Sequence, residues 1–145
     1  MFNRWQAMRW AEFWVTCWNE HDLEKVLSLY RDDVRFESPL AGAVIGTSLV
    51  EGKDALRQYW SQGRYGIRSM RLNLERALWD PYSRELAIVY VAELEGTRLR
   101  GCDLITLDAA GRVVRGEACF GSVMEGGGIV APFMVSHVAG AEGEL

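Results

Sequence analysis

Along residues 99–107, Leu99, Gly101, Asp103, Ile105 and Leu107 alternate with Arg100, Cys102, Leu104 and Thr106. The period of an extended strand puts Asp103 on the more apolar of the two faces. A carboxylate loses far more on leaving water than it gains by packing, so at such a position it is paired, protonated or turned toward a cavity. A protonated or cavity-facing carboxyl can give a proton or a hydrogen bond to a ligand oxygen, which is the chemistry of an acid catalyst or a polar anchor. Aromatic side chains supply candidate surroundings. Trp14, Trp18 and Trp60, the phenols Tyr30, Tyr59 and Tyr90, and Phe36 and Phe120 can line a ligand-binding wall or simply fill a core. Aromatic stripes usually mean core, yet several indoles and phenols converging suggest a pocket, because a packed core favours side chains without polar tips.

Other chemistries find less support. Cys17, Cys102 and Cys119 are odd in number and form no C-x-x-C pair, so neither a disulfide framework nor a zinc site is indicated, and no metal or other cofactor is expected. Gly126 to Gly128 do not follow a strand and open a helix as a phosphate loop would. Alternation along Val34, Phe36 and Ser38 sends Glu37 to the opposite face, and Glu117 likewise faces away if Gly116, Ala118 and Phe120 look inward; Arg115 or Arg100 are its candidate partners. Arg57 fits either a pocket rim or a solvated helix face, and His21 falls in a loop. A net charge of -4 leaves no basic footprint, so nucleic acid is not an expected partner. No apolar run of about 18 residues is present, and charges interrupt the N-terminal segment, so the expectation is a cytoplasmic protein that neither enters a membrane nor is exported.

The elements that must position Asp103 follow from periodicity. Trp10, Trp14 and Trp18, flanked by Ala7, Ala11, Val15 and Cys17, predict a long amphipathic helix over Asn3 to Asn19. Asp22 is placed to cap a second helix through Tyr30, a short strand over Val34 to Ser38 stops at Pro39, a loop holds Gly42 and Gly46, and a third helix ends before Gly63. From Met70 the period changes to 2, giving four consecutive strands joined by turns at Asp80 to Ser83, Glu95 to Thr97 and Asp108 to Gly111. Helices first and a meander second is the order of an α+β domain. Residues 1–125 are expected to form that single domain, and 126–145 a glycine-rich tail that can pack back on it. Ala87, Val89 and Val91 on one strand face and Leu86, Ile88 and Tyr90 on the other are both too apolar for water, so a homodimer through the outer sheet face is expected.

This order, together with "WNEHDLEKVLSLYRDDVRFESPLAG", "GKDALRQYW" and "GCDLITLDAAGRVV", resembles the nuclear transport factor 2-like superfamily in its SnoaL-like and ketosteroid-isomerase-like branch. The resemblance implies a cone of three N-terminal helices packed on a curved, mainly antiparallel sheet, with an apolar cavity into which Asp103 points. In ketosteroid isomerase an aspartate kept protonated by its apolar site donates a hydrogen bond to the substrate oxyanion, and Asp103 matches that position. Ser38 stands where the general base would be, and Trp14 where the oxyanion tyrosine would be. Steroid isomerisation itself is therefore not expected. The resemblance leaves three readings: a cofactor-independent isomerase, cyclase or hydratase acting on a cyclic apolar molecule, with Asp103 and Ser38 as its catalytic residues; a non-catalytic binder of a small apolar molecule anchored by Asp103; or a dimerisation domain whose core merely contains Asp103.

Overall fold

A computed structural model describes residues 2–65, 70–94 and 96–125. The tail after Glu125, with His137, lies outside the described residues. The aromatic stripe forms α1 (Arg4–Asn19), opened by a capping box in which Asn3 accepts from the Gln6 amide and the Gln6 side chain accepts from the Asn3 amide. Its buried side carries Ala7, Ala11, Trp14, Val15 and Trp18. Asp22 caps α2 (Leu23–Leu27) as expected, its side chain accepting from the Lys25 amide.

That helix is shorter than its apolar spacing predicts. The Leu29 carbonyl accepts a hydrogen bond from the Val113 amide, which draws the chain out into an extended path, so Tyr30 opens strand β1 (Tyr30–Glu37) instead of closing a helix. The expected loop around Gly42 and Gly46 also has structure of its own: α3 (Ala41–Ile45), closed by Gly46 at φ 84°, and β2 (Leu49–Glu51). A fourth helix is thus present where three were expected. The last one, α4 (Lys53–Tyr65), runs through Gly63.

The four predicted strands are β3 (Met70–Asp80), β4 (Glu85–Leu94), β5 (Thr97–Leu107) and β6 (Val113–Glu125). Together with β1 and β2 they make a six-stranded sheet in the order β2-β1-β6-β5-β4-β3. Pairings are antiparallel except β1 with β6, which run parallel. One sheet face and the helices share a core to which β1 gives Val34 and Phe36, β4 Leu86, Ile88 and Tyr90, and β5 Leu99, Ile105 and Leu107. In β3 a register shift between Leu74 and Arg76 lets Leu72 and Ala77 both reach that core despite their odd separation.

Helix α1 is pinned at its C-terminal end and near its middle. The Asn19 side chain exchanges two hydrogen bonds with the Leu72 backbone at 2.8 and 2.9 Å, and the Trp10 indole donates to the Gly111 carbonyl at the β5–β6 turn. On the outer side of the sheet Val89 and Val91 are buried within the single chain, whereas Leu78 and Met124 are exposed. Among the described residues no helix is long and apolar enough to cross a membrane.

Candidate functional site

Strand β5 delivers Asp103 to the interior, where it is 4% exposed. The turn at Gly96 pairs Leu94 with Thr97, and that register places Tyr90 opposite Gly101 and Ile88 opposite Asp103. Tyr90 therefore approaches the carboxyl on the diagonal, and its hydroxyl donates to Asp103 Oδ1 at 2.9 Å. Burial pushes the Asp103 carboxyl up to about 7, and the Tyr90 hydrogen bond partly opposes the rise. At neutral pH the acid is thus poised between its two forms, the condition for moving a proton or donating a hydrogen bond.

Two further phenols, Tyr30 and Tyr59, sense its charge. Tyr30, the first residue of β1, accepts from the Trp14 indole at 2.9 Å. Burial, and then the Asp103 charge, push the Tyr30 and Tyr90 phenols well above their usual range. Tyr59 on α4 is raised by burial and, more weakly, by Asp103. All three phenols remain neutral donors at physiological pH. Ser38 Oγ lies 2.9 Å from the Tyr59 hydroxyl and also accepts from the Leu40 amide at 3.3 Å.

The aromatic rings form a contiguous wall. Trp60 makes edge-on contacts with Trp18, Tyr30 and Phe36 at centroid distances of 5.0, 5.2 and 5.4 Å. Trp14 packs between Trp18 and Tyr90, at 6.0 and 5.8 Å. Phe120 lies half-buried on β6 opposite Gly101 and packs against the same core. The structure thus brings Asp103, Ser38 and all eight aromatic candidates to the interior side of one sheet.

Other candidates lie elsewhere. Glu37 and Glu117 are exposed. Arg57 binds Glu24 with two hydrogen bonds and Asp54 with a third, so it belongs to a surface ion pair and not to a pocket rim. Arg100 pairs with Glu75 and not with Glu117. His21, at φ 59°, places its Nε2 3.1 Å from the Met70 carbonyl on the surface. One participant escaped the sequence: Gly101, whose missing side chain leaves the space the Tyr90 ring occupies. A strand-interior glycine directly across from a tyrosine, both inward at period 2, was the available signal.

With this geometry in place, the family model of the SnoaL-like domain matches residues 11–116. The chain belongs to the SnoaL-like domain family. Within the nuclear transport factor 2-like superfamily, this SnoaL-like chain is similar to a SnoaL-like protein of unknown function from Burkholderia thailandensis, with 24% identity and a TM-score of 0.73 over 83% of this chain and 99% of that one. An epoxide hydrolase/cyclase-like enzyme of pyran ring formation in salinomycin, SalBIII, shares the fold at 16% identity and a TM-score of 0.66, over 83% of this chain and 95% of its own. A putative ketosteroid isomerase from Kribbella flavida does so at 19% identity and 0.64, over 85% and 83%. No protein of curated function matches the sequence.

Proposed function

We propose that this SnoaL-like protein is a cone whose apolar interior binds a neutral, largely apolar cyclic molecule carrying at least one oxygen function, and that Asp103 is the group that meets that oxygen. The observation that carries this reading is a carboxyl buried on an apolar face, poised near pH 7, with a phenol as its hydrogen-bond partner. Tyr90 and the Trp14 indole spend their donors on Asp103 and Tyr30, and no cationic side chain is among the buried polar residues described, so a neutral ligand is favoured over an anion. Structures of the same fold named for pyran ring formation and for ketosteroid isomerisation are consistent with a ring-containing ligand.

Catalysis on this reading is cofactor-independent proton transfer of the isomerase, cyclase or hydratase type. Protonated Asp103 donates from Oδ2 to a ligand carbonyl, ether or epoxide oxygen while Oδ1 accepts from Tyr90, and the aromatic wall orients the ring system. Ser38 cannot accept a proton at neutral pH unaided, and its hydroxyl is engaged with Tyr59 and Leu40. That engagement favours a second reading, a binding protein that does no chemistry.

Titration with neutral steroid-like, polyketide-like and terpenoid ketones tests both. Saturable quenching of Trp14, Trp18 and Trp60 emission, weakened in Asp103→Asn, supports binding at this site. Turnover of a bound compound, lost in the same variant, separates enzyme from binder. Unchanged emission across the whole set contradicts both. The proposal extends to a homodimer through the outer sheet face, supported by exposed Leu78 and Met124; sedimentation as a monomer at micromolar concentration contradicts that part.

A further inference from the structure

Gly101 sits in the middle of β5, and its backbone gives no conformational reason for a glycine, since the positive-φ glycines are Gly46, Gly52, Gly96 and Gly111. Glycine inside a strand weakens it and often marks a place where another group approaches closely. The approaching group is the Tyr90 ring. A Cβ built on Gly101 would lie 2.7 Å from the ring Cζ and 2.8 Å from the phenol oxygen. Those atoms are the end of the side chain that bonds Asp103, so any larger residue at 101 must displace the hydroxyl from its place on the carboxyl.

We propose that Gly101 is a positioning residue for Asp103, acting through the Tyr90 ring that fills the space where any other residue would carry its Cβ. Strand β5 then supplies both the acid and, two residues earlier on the same face, the gap through which its hydrogen-bond partner reaches it. This deepens the reading of Asp103 as the working group of the interior, but its test needs no ligand, so it can fail or succeed independently of that reading.

The titratable groups that sense the Asp103 charge are Tyr90 from β4, Tyr30 from β1, Tyr59 from α4, and Cys102 and Cys119 from β5 and β6. Trp14 on α1 does not titrate. Burial and the Tyr90 hydrogen bond are the influences acting on Asp103 itself, and the bond favours the ionised form. Losing it therefore moves the carboxyl further upward.

Carbon-13 NMR titration of labelled aspartate in Tyr90→Phe, Gly101→Ala and Gly116→Ala tests the proposal. Tyr90→Phe, which keeps the ring and removes the hydroxyl, is expected to raise the Asp103 midpoint by about one pH unit. Gly101→Ala is expected to do the same, and the double variant to do no more. Gly116→Ala is the control: its Cβ meets Phe36 at 3.0 Å and Ile105 at 3.4 Å on the same face, and it should lower the melting temperature without moving Asp103. A Gly101→Ala midpoint that stays at the wild-type value, or falls, while Tyr90→Phe rises would overturn the proposal. Should Gly101→Ala fail to fold, Tyr90→Leu provides the background. With the ring gone, adding Gly101→Ala should leave the melting temperature equal or higher, and a clear loss there would overturn the proposal as well.

Discussion

Two aspartates five residues apart on one chain meet opposite fates. Asp103, inside, is pushed up to about 7 by burial, with the Tyr90 phenol donating to it. Asp108, at the turn that follows, accepts from the Ala110 and Arg112 amides at 2.9 Å, with Arg31 at 3.7 Å, and is held below the usual carboxylate range, the Arg112 amide acting most. The residue type is the same; the difference is whether water and fixed backbone donors, or apolar side chains, surround the charge. One carboxylate builds a turn, and the other is kept in a state that costs stability.

The largest test of that contrast is Asp103→Asn. Between its ordinary value of 3.8 and about 7, the unfolded chain is ionised while the folded one holds its proton, so stability falls as pH rises through this window and levels off above it. At about 1.4 kcal/mol per pH unit the gap amounts to roughly 4 kcal/mol as an upper figure. The variant should match wild type near pH 3.5 and exceed it by up to that amount at pH 8, as denaturant melts across the range will show. A loss at pH 8 would mean that the carboxylate is structural.

Asp108→Ala should show the opposite pH trend. Its depressed value means stability present above 3.8 and lost as pH falls through the folded value, so the variant should cost about 1–3 kcal/mol at pH 7 and progressively less in acid. Ser38→Ala comes next, at about 1–2 kcal/mol, because it removes the buried partner of Tyr59. Tyr59→Phe in the same background should add less than it does alone if the two hydroxyls act as a pair. Arg57→Ala, at the exposed ion pair with Glu24, should leave the melting temperature within error.

How far the sequence revealed all this depends on the range of the forces involved. The α1 stripe, the four-strand meander and the inward face of Asp103 are local periodicities and were legible residue by residue. The Tyr90 to Asp103 contact was nearly so, since a turn pairing Leu94 with Thr97 fixes Tyr90 opposite Gly101. Tyr30 as a strand residue was not, because the bond from the Val113 amide to the Leu29 carbonyl comes from a strand far along the chain. The link between Ser38 and Tyr59 depends on how α4 lies over β1, which no pattern within either segment records. Arg57 was ambiguous for the same reason, its partner Glu24 lying on another helix.

Asp103 is the group on which the proposed chemistry depends, and carbon-13 NMR titration of the aspartate carboxyls in the wild-type protein tests its state most directly. One resonance, absent in Asp103→Asn, is predicted to titrate with a midpoint near 7, while that of Asp108 titrates below the usual carboxylate range. An Asp103 resonance titrating at the ordinary aspartate value of 3.8 would contradict that prediction and leave the interior without its acid.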